Sequence, residues 1–200
     1  MTDGHEPTLE AREIPPPLSE QFRISLGFDR RPETLADWTE ATARLLDDRH
    51  VPARLEELCL TETSRHEARV IGETLYFKCF FDMLLVPFVS ESASEVQVRS
   101  RSLVSDTLVT GTVTPDEVSI EPDGAVMSFG AATDVVSADY LDVPATLAYR
   151  RFCPYIDAFP DESEYERWDK ATESGVTMPL ELAVGFALAR RLVGAAPFDP

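Results

Sequence analysis

The longest apolar stretch of the chain runs from Leu75 to Phe88, and its pattern changes midway. Leu75 to Phe77 has the aliphatic and aromatic character of a strand. Cys79 to Val86 is too continuously apolar to alternate, and predicts a short buried helix that ends before Pro87, which restricts the residue ahead of it. Upstream, Leu55 to Leu60 and His66 to Ile71 predict two short strands, with Gly72-Glu73 as the turn into Leu75 to Phe77. Downstream, beyond the serine-rich, acidic stretch Ser90 to Glu95, strands are expected around Val96, Val98 and Leu103-Val104, over Thr107 to Val113, and over Ala125 to Phe129. Thr114-Pro115-Asp116 and Glu121-Pro122-Asp123-Gly124 read as the turns between them. Residues 131 to 144, with Asp134, Asp139 and Asp142, read as irregular, and Ala145 to Phe152 as a strand that delivers Cys153 and Pro154.

Helical spacing dominates at the two ends. Leu35, Trp38, Ala41, Ala43, Leu45 and Leu46 recur at helical intervals after Pro32-Glu33-Thr34. Asp161 to Thr172 predicts a charged helix that turns Tyr165 and Trp168 inward. Thr177-Met178-Pro179 predicts the start of a last helix whose apolar face is Leu180, Val184, Ala187, Leu188 and Leu192, ended by Gly194. The resulting class is α+β: a mixed or antiparallel sheet core with flanking helices and a short N-terminal helical subdomain. Residues 1–17, polar and ending in three prolines, are expected to form a disordered tail, 18–52 the helical subdomain, and 53–196 the α+β core.

Composition narrows the partners. The net charge is −18, and Lys78 and Lys170 are the only lysines among eighteen basic residues. Such a surface argues against nucleic acid and against anionic membranes. It suits a protein kept soluble in a very salty cytoplasm, where the screening length shrinks to about 3 Å at 1 M salt. No apolar stretch approaches the roughly 18 residues of a membrane span, and the N-terminus lacks a secretory pattern, so a cytoplasmic location is expected. Three cysteines, Cys59, Cys79 and Cys153, are too few and too scattered for a disulfide framework. His5, His50 and His66 sit in polar surroundings without zinc-site spacing.

The candidate chemistry interrupts the apolar stretch. Cys79 falls in the first turn of the predicted helix, where free N–H groups and the helix dipole favour a thiolate, and Asp82 follows on the same face. Cys153 precedes Pro154, and spacing alone does not say whether the three meet. A buried cysteine is commonly a small hydrophobe, which is the expected role of Cys59. Asp82 has an alternative reading as a structural carboxylate satisfied by N–H groups or by Arg150 or Arg151.

In this order the residues resemble the organomercurial, or alkylmercury, lyases. The resemblance is carried by Leu75-Tyr76, Lys78-Cys79, Cys79-x-x-Asp82, Pro87, Thr114-Pro115-x-Glu117-Val118, Glu121-Pro122 and Phe152-Cys153, and runs from about Leu58 to Gly194. It implies that Cys79, Asp82 and Cys153 are catalytic, with Cys79 and Cys153 holding mercury as substrate and product rather than as a cofactor. An organomercurial small molecule, and a thiol acceptor or mercuric reductase for Hg(II), would be the partners. The alternative is a non-catalytic soft-metal carrier for Hg(II) or Cu(I), which needs only the two sulfurs. The chain departs from the family pattern in Lys78, where tryptophan is frequent, and in Arg99-Ser100-Arg101-Ser102, where a structural cysteine is frequent. Residues 131–144 resemble an insertion, and of an N-terminal winged-helix-like unit only Glu33 to Asp48 would remain.

Overall fold

A computed structural model of the chain describes residues 8–48, 55–90, 93–134 and 150–195. It is α+β, built on two antiparallel sheets. The first has six strands in the order β1-β3-β2-β4-β5-β6: β1 Cys59–Leu60, β2 His66–Val70, β3 Glu73–Phe77, β4 Val96–Arg101, β5 Leu108–Val113 and β6 Val118–Glu121. The second has three in the order β8-β7-β9: β7 Val126–Ala132, β8 Ala158–Phe159 and β9 Gly175–Glu181. The helices are α1 Pro16–Leu26, α2 Leu35–Asp48, α3 Leu55–Leu58, α4 Phe80–Val89, α5 Glu162–Ala171 and α6 Leu182–Ala195.

The sequence dictates much of this locally. In β4, Val96, Val98 and Ser100 face inward while Gln97, Arg99 and Arg101 face out, the period-two alternation of a half-covered sheet. Ile71 and Gly72 form the two-residue loop between β2 and β3, both with positive φ (49° and 84°), as a type I′ hairpin turn requires. β7 is buried at every position because it lies between β8 and β9 with helices against it. Asp161 caps α5 by accepting the Glu164 N–H at 2.8 Å.

Several expected boundaries move. Pro87 lies inside α4 rather than after it, because Phe88 stacks near Phe186 of α6 at 5.7 Å and Val89 is buried, so packing outweighs the lost hydrogen bond. Thr177, Met178 and Pro179 belong to β9, paired with Gly130, Phe129 and Ser128, and α6 begins only at Leu182. Leu55 to Leu58 is a helical turn, Leu103-Val104 lies outside β4, and β6 is an additional strand. Leu9 and Ile14, in the segment expected to be a tail, are buried, and α1 and α2 share one core with α6 and β7. Asp139, Asp142 and most of the Ala145 to Phe152 segment lie outside the described residues. Among the described residues no helix is long and apolar enough to cross a membrane.

Phe129 sits where these layers meet. It is fully buried, 5.1 Å from the Phe22 ring and 5.0 Å from Trp38 in an edge-to-face contact. Phe129→Ala is therefore expected to cost about 3–5 kcal/mol, measured by denaturant unfolding at fixed molar salt.

Candidate active site

The apolar stretch becomes a site through the way α4 begins. Cys79 is not in the first turn but is the N-cap residue, with extended backbone angles (φ −147°, ψ 170°), and Asp82 is the third residue of the helix. That spacing is the frame of a capping box, with a thiol in the position of a serine or threonine hydroxyl. The Asp82 carboxylate reaches back to accept the Cys79 and Lys78 N–H groups. The Cys79 side chain closes no regular cap hydrogen bond, although the Asp82 N–H is near enough to favour its thiolate slightly. Helix start and acid–thiol pair are one local structure.

Cys153 arrives from a different quarter. Arg150 and Arg151 are helical, and Cys153 opens a tight 3-10 turn, Cys153–Tyr155, rather than ending a strand. The turn docks on α4 through the Phe80 N–H, which donates to the Ile156 carbonyl at 3.1 Å. Its other side is held where the Tyr155 hydroxyl donates to the Ser174 carbonyl at 2.9 Å and the Tyr155 ring covers Gly175, where a Cβ would lie 2.2 Å from the ring.

The result is convergence. The sulfurs of Cys79 and Cys153 and a carboxylate oxygen of Asp82 all lie within 4.8 Å of one another. Cys79 and Cys153 are buried, and although Asp82 as a residue keeps some exposed surface, its carboxyl group is enclosed. Cys59 is half-buried and lies on β1 opposite Phe77, outside this trio.

Electrostatics revises the expected protonation. Burial, the hydrogen bond with Cys153 and the charge of Asp82 push the Cys79 thiol well above its usual range. Burial likewise raises Asp82 to about 6, held from going higher by the Cys79 thiol hydrogen bond, the Lys78 charge and the two N–H groups. The neutral-pH resting pair is thus a thiol donating to a carboxylate, not the thiolate that the helix dipole alone predicts. Desolvation outweighs the dipole because both groups are buried.

A carboxyl group whose pKa is raised on folding costs stability once it ionises. Between the ordinary aspartate value of 3.8 and about 6 the folded chain holds a proton on Asp82 that the unfolded one has lost, so the contribution of Asp82 to stability falls as pH rises through that window and is flat above it. The penalty at neutral pH is on the order of 2–3 kcal/mol. Asp82→Asn is expected to be more stable than the parent at pH 7.5 and to lose that advantage near pH 4, read from denaturant midpoints at the two pH values.

The profile of the alkylmercury lyases, MerB, matches residues 60–194. The chain belongs to the alkylmercury lyase family. A crystal structure of the mercury-bound form of MerB2 has the same fold, with a TM-score of 0.50 at 13% sequence identity over 79% of this chain and 76% of that one. No curated protein matches the chain. Family membership and fold thus agree with an organomercurial lyase at the level of the family.

Two groups near the site escaped the sequence reading. His66, which has polar neighbours in the sequence, is 1% exposed, and Asp157 is equally buried. Both carried a signal. His66 shares the inward parity of Ala68 and Val70, and Asp157 is the one charge within Tyr155 to Phe159.

Proposed function

We propose that the chain cleaves the carbon–mercury bond of organomercurials by protonolysis, with Cys79, Asp82 and Cys153 as catalytic residues. The observation that carries this reading is the enclosure of two sulfurs and one carboxylate within 4.8 Å, in a member of this family. Mercury is soft and selects thiolate ligands. With bonds of about 2.3 Å each, by analogy with zinc–thiolate lengths, a linear sulfur–mercury–sulfur unit spans about 4.6 Å.

The protonation states supply an order of events. As R–Hg–X enters, the Cys79 sulfur binds mercury, its proton passes to the Asp82 carboxylate, and X leaves as an anion. Cys153 then binds as the second sulfur, its proton taken up by the released X anion or another base in solution, and pushes electron density toward carbon. The carbon–mercury bond breaks, and its electron pair takes the proton from Asp82. The products are R–H and Hg(II) on two sulfurs, with Asp82 restored as carboxylate. A carboxyl group titrating near 6 can both accept and return a proton near neutrality, which is what general acid–base work requires. A thiol acceptor or a mercuric reductase would then remove Hg(II).

A soft-metal carrier needs the sulfurs but has no use for a carboxyl group tuned in this way, so Asp82 favours the enzyme. Incubation with an organomercurial and excess small thiol, followed by gas chromatography of the headspace, tests the proposal. Stoichiometric or greater hydrocarbon supports it; mercury retained with no hydrocarbon above the thiol blank refutes it.

A further inference from the structure

Asp157 is a charge in an apolar place, 1% exposed between Ile156 and Ala158. A carboxylate is kept in such surroundings only where cations or donors hold it. The Arg65 guanidinium lies 2.7 Å and His66 Nε2 3.1 Å from the same oxygen, Oδ1. Neither carboxylate oxygen closes a hydrogen bond of regular geometry, so the hold is chiefly the charge of Arg65. The backbone is fixed more tightly: the Asp157 N–H donates to Ser128 Oγ at 2.9 Å, and its carbonyl accepts the Ser128 N–H at 2.8 Å. The His66 ring is fixed on its other side by Ser100 Oγ, 2.9 Å from Nδ1.

A hydroxyl, an imidazole and a carboxylate in a row invite comparison with a hydrolase triad. Ser100, however, has no exposed surface, and no substrate reaches it. The row is mechanical. It ties β2, β4 and β7 to the residue that follows Ile156, whose carbonyl is the docking point of the Cys153 turn on α4. The Ile156 N–H in turn closes on the Cys153 carbonyl at 3.3 Å, leaving little slack between Asp157 and Cys153.

We infer that Asp157 is a positioning residue: with its main chain held by Ser128, its carboxylate draws in Arg65 and so sets the separation of the Cys153 and Cys79 sulfurs. The inference rests on the reading of that pair as the mercury-holding thiols, but its test does not need mercury. In a Cys59→Ser background, equilibration with a glutathione redox buffer oxidises the two remaining thiols to one disulfide while one oxidised glutathione becomes two thiols. The position of that equilibrium gives the effective concentration of one site thiol for the other.

Asp157→Ala is expected to lower the effective concentration by about tenfold or more, with hydrocarbon release falling alongside. Asp157→Asn, which keeps shape without charge, should lie between and decides the matter if the alanine variant does not fold. Val113→Ala, a cavity variant on distant β5, loses thermal stability without changing the effective concentration. Values for folded Asp157 variants within twofold of the parent would overturn the inference, as would a parent that forms no disulfide. A parent that cleaves no organomercurial defeats the proposed function instead, and the disulfide equilibrium still decides the role of Asp157.

Discussion

Cys79→Ser and Cys153→Ser are each expected to abolish hydrocarbon release, by more than about 10³-fold, in the range seen when an enzyme loses its nucleophile. A hydroxyl is a hard and very weakly acidic ligand, so it neither captures a soft metal nor pushes electron density onto its carbon partner. The two losses should differ in kind. Without Cys153 the chain still holds R–Hg on Cys79 beside a protonated Asp82, and the bound organomercurial is detectable by mass spectrometry. Without Cys79 the carboxylate loses the thiol proton that it would pass to carbon. Cys59→Ser should turn over as the parent does, because Cys59 lies outside the trio, and burial and the Glu56 charge raise its thiol. Single-turnover headspace chromatography on the three variants, with circular dichroism to verify folding, checks the assignment. A folded Cys59→Ser chain without turnover would move the mercury site to a different pair.

The parts of this site legible in the sequence are those whose cause is local. Cys-x-x-Asp at a strand-to-helix junction encodes its own geometry, since an acidic third residue reaches back to the N-cap in any helix that starts this way. The hairpin before β3 was legible for the same reason, though its turn falls at Ile71-Gly72 rather than at Gly72-Glu73, and so was a strand at Val96 and Val98. Where packing decides, the sequence misleads: Met178 and Leu180 have the apolar look of a helix face, yet pairing with β7 draws them into β9. The α4 helix similarly carries Pro87 because Val86 and Val89 are buried and Phe88 packs on Phe186 of α6. The protonation of Cys79 was illegible for a further reason. A helix dipole is visible in sequence, but the dehydration that opposes it depends on Cys153 and its turn, which arrive from elsewhere in the chain. Long-range burial also hides Asp157 and His66, whose partners Arg65, Ser100 and Ser128 are spread over three strands and their ends.

Asp82→Asn is expected to retain mercury capture while losing carbon–mercury cleavage. The carboxamide matches the carboxyl group in size, and its oxygen can still accept the N–H groups at the start of α4, so both sulfurs stay in place. It has no acidity in the working range and cannot take a proton from Cys79 and return it to carbon. General acid–base groups are typically worth about 10² to 10⁴ in rate, and the loss should be at least that large. Instability cannot imitate this result. Removing a buried carboxylate whose ionisation is disfavoured makes the chain more stable at neutral pH, so a folded, mercury-binding, inactive variant isolates the proton step. The measurements are Hg(II) binding by thiolate-to-mercury charge-transfer absorption and hydrocarbon release, both in molar salt, where a chain of net charge −18 suffers least self-repulsion. If Asp82→Asn released hydrocarbon at the parental rate, the carboxylate would be only the cap of α4, the proton would come directly from a thiol or from water, and the raised titration of Asp82 would be a consequence of burial without a part in the reaction.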